Sequence, residues 1–146
     1  MIVADHCASA AGKTKLPVPG YHIPLILYAP KLLKPGRYDR LMSQIDIPPT
    51  LIDVMGLRGD EHFFGTSVFE QGAHPGRAFI SNYQELGYLT NNRLVVLGPK
   101  RRSEVFSISA DGSATPAPSD PELEDEAAAW YQTAFREFRG GWMKMR

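Results

Sequence analysis

The stretch Ile2-Val3-Ala4-Asp5-His6, followed by the small-residue run CASAAG at positions 7–12, decides how the fold of this chain is interpreted. An apolar run that ends in a carboxylate and an imidazole predicts a buried strand carrying two metal ligands at its carboxyl end. Small residues directly after a strand let the backbone turn and approach a ligand closely. Carboxylate oxygen with imidazole nitrogen suits Zn, Mn or Fe better than Ca or Mg. Taken alone, the pair also fits a turn-capping aspartate beside an ordinary histidine.

The composition is that of an ordinary globular domain. With 146 residues, of which 43% are hydrophobic and 22% charged, the chain is long enough for one domain with a core. Lys plus Arg equals Asp plus Glu at 16 each, so charge offers no argument for a nucleic-acid partner. The single cysteine, Cys7, excludes an internal disulfide and a cysteine zinc cluster. No apolar stretch approaches the roughly 20 residues that span a bilayer, and we expect no transmembrane segment in this chain.

Three further motifs follow the Asp-His pair in order. They are YHIPLILYAP at 21–30, SQIDIPPTL at 43–51 and the pair Phe64-Gly65. In this order the chain resembles the C-terminal third of the sulfatase and lipoteichoic-acid-synthase branch of the alkaline phosphatase superfamily, over about residues 1–70. The resemblance implies an α/β fold: the C-terminal part of an alkaline-phosphatase-like sandwich, with a small C-terminal antiparallel sheet packed by a final helix.

The resemblance also implies a chemistry. In these enzymes a divalent metal activates a side-chain nucleophile that attacks a sulfate or phosphate ester, including phosphoglycerol esters. Asp5 and His6 are then metal ligands, and Mn or Zn is expected rather than Mg or Ca. His22, at the entry of the second apolar run, and Lys13, in the loop after the first, are candidate substrate contacts. His22 equally fits a hydrogen-bonded structural histidine, and Lys13 a solvated lysine.

The nucleophile of this family and its acidic metal ligand come from the N-terminal half of the enzyme. Thr14 and Thr50 both follow the Asp-His pair and do not stand in a nucleophile context, so no catalytic nucleophile is expected in this chain. We therefore expect a fragment that supplies the Asp-His half of a metal site. The other half would come from an N-terminal half of the enzyme or from a partner chain. The resemblance places the parent enzyme in the periplasm or at the extracellular face of the cytoplasmic membrane.

Turn and linker signals divide the chain into four segments. Residues 1–72 are the predicted portion of the α/β core, with the metal-ligand strand, a buried strand and a helix. Residues 73–112 are predicted to form a small antiparallel β subdomain. Residues 113–119 have the composition of a linker, and residues 120–146 are predicted to be a C-terminal helix and tail.

Local patterns predict the individual elements. The apolar run 22–28 is expected to be a buried central strand. Residues 43–55 are expected to be helical, with Asp46 as the N-cap and Gly56 as the left-handed stop, so that Ser43, Asp46 and Thr50 serve capping and hydrogen bonding and not catalysis. Strands are expected at 78–82, 87–90, 93–97 and 104–109, with a hairpin turn at Asn91-Asn92. The final helix is expected to dock through Leu123, Ala127, Trp130, Tyr131, Ala134 and Phe138.

Two other functions fit the sequence. One is a non-catalytic α/β binding module that uses the C-terminal hairpin and helix, including Trp130 and Tyr131, as its interaction surface. The other is a small metal-dependent hydrolase in which Asp5, His6 and His22 provide three ligands and water the fourth, the ligand count of catalytic zinc.

Overall fold

A computed structural model of the chain describes residues 1–7, 16–58, 62–70 and 75–142. Two short strands, β1 (Ile2–Val3) and β2 (Leu25–Ile26), pair antiparallel near the start. Helix α1 (Ile47–Met55) follows a 3₁₀ turn at Gln44–Asp46. A five-stranded antiparallel sheet and a long final helix make up the rest. These elements are β3 (Arg77–Ser81), β4 (Leu86–Thr90), β5 (Arg93–Gly98), β6 (Arg102–Ile108), β7 (Ala114–Pro116) and α2 (Pro121–Gly140).

The large sheet is a meander whose strands pair in chain order, from β3 to β7. Its tightest turn is at Asn91 and Asn92, with φ of 47° and 58°, a left-handed conformation that asparagine tolerates and a two-residue hairpin needs. This confirms the predicted hairpin and sets the register Thr90 against Arg93. Strand β7 lies inside residues 113–119, which composition predicts to be a linker. Pairing with β6 overrides that composition, because an edge strand tolerates Pro116.

Both faces of this sheet are buried, as alternate residues of β5 show. Leu94 and Val96 belong to one apolar cluster, and Val95 belongs to the other. The first cluster is covered by the segment around Leu16 and the second by α2 through Ala127, which is fully buried. The predicted fold class, a mixed α/β chain with a C-terminal antiparallel sheet packed by a final helix, is therefore confirmed.

Helix α2 begins as predicted, since Asp120 accepts a hydrogen bond from the Leu123 amide and Pro121 opens the helix. Trp130 and Tyr131 pack edge-on against Phe79 of β3, with ring centroids 5.5 and 5.7 Å apart. These two aromatic residues are thus engaged inside the chain and do not form an open interaction surface. Phe138 departs from the predicted docking face: its side chain is 74% exposed, because the last turns of the helix have passed the part that packs on the sheet.

The run 22–28 is not the buried strand that its apolar sequence predicts. Only Leu25–Ile26 is paired, and the exposed fractions of Ile26 and Tyr28 are 55% and 80%. Within the described residues β2 pairs with β1 alone, and the paired residues Ile2 and Ile26, which share one face, are 67% and 55% exposed. No helix in the described ranges is both long and apolar enough to cross a membrane.

Helix α1 is shaped by proline at its start and glycine at its end. Pro48 and Pro49 lie in the first turn, where a missing amide hydrogen breaks no helical bond. Gly56 adopts φ of 64° and ends the helix, as predicted. The 3₁₀ turn before the helix packs close to the Phe64-Gly65 pair: a Cβ on Gly65 would lie 1.9 Å from the Ile45 carbonyl oxygen. This close backbone approach is the physical reason for glycine in that pair.

Candidate metal centre

Asp5 and His6 follow β1 after one intervening residue and present both side chains to solvent, 88% and 78% exposed. The backbone amide of His6 donates to Asp5 Oδ1 at 3.0 Å and thereby holds the carboxylate. Asp5 Oδ2 and His6 Nε2 lie 3.7 Å apart. Two metal–ligand bonds of about 2.1 Å reach across at most about 4.2 Å, so both atoms can bind one ion.

The tautomer of His6 is set by its neighbour. His6 Nδ1 lies 2.7 Å from the Cys7 carbonyl oxygen, and since a carbonyl only accepts, Nδ1 carries the hydrogen. This bond, and then the charge of Asp5, raise the pKa of His6 above its ordinary value. In the neutral ring Nε2 is left as the lone-pair donor on the Asp5 side. A ring nitrogen tied to a carbonyl while the other faces a metal is the usual arrangement of ligating histidines. The donor pair thus fits a divalent cation.

The backbone of the Asp5-His6 segment is held by a side chain from the 3₁₀ turn that precedes α1. The side-chain amide of Gln44 donates to the carbonyl oxygens of Asp5 and Ala4, at 2.8 and 3.2 Å. Sequence reasoning did not single out Gln44. The only available signal was its place inside the SQID motif, next to residues that were assigned to capping.

His22 is exposed and contributes no third ligand in this arrangement. The register of β1 and β2 pairs Val3 with Leu25, and the paired residues end there. Continued by three residues, the register would set His22 opposite His6, but the chain does not form that pair. In the described part of the chain, His, Cys, Asp and Glu side chains form no group of three or more that could hold a metal. A three-ligand centre of Asp5, His6 and His22 is therefore not assembled, and Lys13 lies outside the described residues.

Asp46 is the buried hub beside this region, with a side chain only 3% exposed. Its carboxylate accepts from the backbone amides of Ser43 and Thr66, at 2.8 and 2.9 Å. The Arg77 guanidinium, 11% exposed, pairs with it at 3.2 Å. Thr50 Oγ donates to the Asp46 carbonyl at 2.6 Å. The prediction that these polar residues serve hydrogen bonding is confirmed, although Asp46 binds the 3₁₀ turn and its neighbours and does not cap α1 with its side chain.

Arg77 joins this hub to the C-terminal helix. Its guanidinium carbon lies 4.7 Å from the Trp130 ring centroid, and one guanidinium nitrogen donates to the Phe64 carbonyl at 3.1 Å. A delocalised cation on an aromatic face with carboxylate and carbonyl acceptors is an arrangement that lysine cannot reproduce. Nothing in the sequence distinguishes this arginine from the other cations, because Phe64, Asp46 and Trp130 lie 13 or more residues away along the chain.

Trp142 is placed by a second contact to the loop at 62–64. Its ring lies 4.8 Å from the His62 ring and 5.2 Å from the Phe64 ring, between centroids. His62 Nδ1 also lies 2.8 Å from the Trp142 carbonyl oxygen. The end of α2 is thereby tied to the same loop that Asp46 and Arg77 hold.

Comparison with known proteins identifies the family and the fold that this chain resembles. Residues 1–57 match the family model described as Sulfatase. Among solved structures, this chain is similar to a protein in the alkaline phosphatase superfamily from Vibrio parahaemolyticus, with a TM-score of 0.89 and 29% sequence identity. The match covers 99% of this chain and 36% of that chain, so the present chain spans about a third of its neighbour. The chain is sulfatase-like and has an alkaline-phosphatase-superfamily fold, which confirms the resemblance at this level; the lipoteichoic-acid-synthase branch stays a prediction.

Proposed function

We propose that this chain provides Asp5 and His6 as two ligands of a divalent metal in a sulfatase-like enzyme that acts on a sulfate or phosphate ester. The observation that carries the proposal is the 3.7 Å separation of Asp5 Oδ2 and His6 Nε2, with the other ring nitrogen held by the Cys7 carbonyl. The mixed oxygen and nitrogen donors favour Mn or Zn over Mg or Ca.

A bound metal would lower the pKa of a hydroxyl nucleophile and neutralise charge on the transferring group. The role proposed for this chain is to hold the cation. Asp5 offers a negative oxygen, and His6 offers a neutral nitrogen whose ring orientation is fixed by Cys7. Both side chains stand in solvent at the end of β1, where a substrate and the remaining ligands have access. The nucleophile and the acidic ligand are proposed to come from the remaining part of the enzyme.

The exposed apolar face of β1 and β2 supports a larger assembly. Ile2, Ile26 and Tyr28 are 67%, 55% and 80% exposed. Apolar side chains clustered on a short strand pair are a surface that proteins normally cover. Because the superfamily neighbour is almost three times as long as the matched region, we propose that the rest of such an enzyme, in the same or a partner chain, covers this face.

The substrate class is proposed to be a sulfate ester, phosphomonoester or phosphoglycerol ester. His22 and Lys13 stay proposals as substrate contacts. A transferase of the lipoteichoic-acid-synthase type, using manganese and attached to a membrane in its full-length form, is the narrower version of the same proposal.

A two-ligand site binds weakly, so the test has to detect weak binding. We propose NMR spectra of the full chain with added Mn²⁺, which broadens the signals of nearby amides. The expected result is broadening centred on residues 4–7, removed by Asp5→Ala and by His6→Ala and competed by Zn²⁺. Asp39→Ala, at another exposed aspartate, is the matched control and should leave the broadening unchanged. Broadening centred elsewhere, absent at millimolar Mn²⁺, or unaffected by the two ligand variants would overturn the proposal.

A further inference from the structure

Gln44 connects two parts of the chain that are far apart in sequence. Its side-chain Nε2 donates to the Asp5 carbonyl at 2.8 Å and to the Ala4 carbonyl at 3.2 Å, across 39 and 40 residues. The β1–β2 ladder has ended at Val3, so the Asp5–His6 segment lies beyond the last paired residue. The two hydrogens of one side-chain amide thus supply donors to backbone that the small sheet no longer holds.

The 3₁₀ turn that carries Gln44 is held by buried contacts. Gln44 begins the 3₁₀ turn whose flanking residue Ser43 donates its amide to Asp46, and Ser43 Oγ accepts from the Phe79 amide at 2.7 Å. Asp46 is 2% exposed and paired with Arg77. Gln44 therefore extends from a 3₁₀ turn that a buried ion pair anchors, and its side-chain amide contacts the exposed Asp5-His6 segment.

We propose that Gln44 is a positioning residue: its amide fixes the backbone of Ala4 and Asp5, so that the Asp5 carboxylate and His6 ring face the same point in space. The metal-related part rests on the proposed function; the backbone-holding part does not. Gln44 Nε2 is not a metal-binding atom in this role, because it donates its hydrogens to the two carbonyls and its lone pair is delocalised into the amide.

The two roles a glutamine could have here predict different responses to substitution. If the amide donates, Gln44→Met, which has similar length and no donor, releases the segment. Gln44→Lys, which has three hydrogens on a flexible stem, restores a donor. If the side chain merely fills space, Met substitutes well and Lys gives no advantage.

The test measures backbone order of residues 4–6 by ¹⁵N relaxation in the full chain, for wild type, Gln44→Met and Gln44→Lys. We expect order parameters near about 0.85 in wild type, below about 0.6 in Gln44→Met, and recovery toward wild type in Gln44→Lys. Gln84→Met, in the exposed turn between β3 and β4, is the matched control and should change neither residues 4–6 nor the melting temperature. Unchanged order in Gln44→Met, or no recovery with Lys, would overturn the inference.

The Mn²⁺ experiment separates this inference from the proposed function. Gln44→Met removes no charge, so a three- to tenfold weaker Mn²⁺ response in that variant is expected from misplacement of Asp5 alone. If wild type binds Mn²⁺ and Gln44→Met binds equally while residues 4–6 become mobile, positioning of the ligands is refuted. If wild type shows no local Mn²⁺ response, the proposed metal site fails, and the order parameters alone decide whether Gln44 holds the segment.

Discussion

Asp46 and Arg77 form an ion pair at 3.2 Å in which both side chains are nearly inaccessible to solvent, 3% and 11% exposed. The pair joins the start of α1 to β3, and the Trp130 face over Arg77 extends the connection to α2. The 3₁₀ turn that precedes α1 and the C-terminal sheet are therefore joined by a buried charge pair, in addition to the hydrogen bond from the Phe79 amide to Ser43 Oγ.

Removing one charge of this pair should strongly lower the free energy of unfolding. Asp46→Asn keeps the size of the side chain but leaves the Arg77 guanidinium buried without a counter-ion. We expect a loss of about 3–5 kcal/mol in the free energy of unfolding, measured by urea denaturation. The matched control is Asp39→Asn, which breaks the exposed pair with Arg37, and exposed pairs contribute about 1 kcal/mol or less. Equal losses in the two variants would show that burial of the Asp46 pair does not matter.

Gly65 should not tolerate a methyl group. In Gly65→Ala the new Cβ would lie 1.9 Å from the Ile45 carbonyl oxygen and 2.8 Å from the Asp46 Cα, which is backbone that cannot swing aside. We expect a lower melting temperature together with shifted NMR signals of residues 45–46.

The control for this substitution is Gly140→Ala, where nothing lies within 4 Å of the added carbon. Replacing a glycine in the last turn of α2 by alanine should stabilise the helix by up to about 1 kcal/mol. A neutral Gly65→Ala would mean that the loop and the 3₁₀ turn at Gln44–Asp46 are not in close contact in solution.

The burial of Tyr131 predicts how the free energy of unfolding responds to alkaline pH. Burial raises its pKa to about 12, and its hydroxyl donates to the Gly87 carbonyl at 2.9 Å. The pKa is raised above the value of about 10 for unfolded chains, so this contribution is intact below pH ~10 and is lost as the pH rises through the folded pKa.

In Tyr131→Phe no phenol at this position ionises on unfolding, so the stability advantage of wild type over the variant should fall steadily from pH ~10 to 12 and pass through zero. At neutral pH the variant should be less stable by about 0.5–1.5 kcal/mol for the lost hydrogen bond. Denaturation curves at pH 8, 10 and 11.5 measure both effects. A constant difference across these pH values would contradict the raised pKa.

The exposed face of β1 and β2 should be tolerant of polar substitution in the chain by itself. Ile26 is 55% exposed, and Ile26→Thr should change the free energy of unfolding by no more than about 0.5 kcal/mol. Leu94→Ala, at a residue 1% exposed, should cost about 2–5 kcal/mol as the comparison. If Ile26→Thr proves as costly as Leu94→Ala, this face is already covered in the isolated chain, for example by a second copy.

Local sequence determined the elements whose geometry depends on neighbouring residues. Asn91-Asn92 adopts positive φ, Gly56 ends α1, and Asp120 with Pro121 starts α2, because each is a conformational preference expressed within one turn. The Asp5-His6 pair is visible in the sequence as a motif, and its role as a metal-ligand pair stays a proposal.

Tertiary structure alone decided the contacts that position the candidate site. Gln44 reaches Asp5 across 39 residues, and Arg77 reaches Asp46 across 31 residues. Such pairs produce no periodic pattern in the sequence, because they depend on how separately formed elements pack. The same reason explains residues 22–28: apolar sequence predicts burial, but whether Ile26 and Tyr28 are covered depends on what lies against their face of the strand pair.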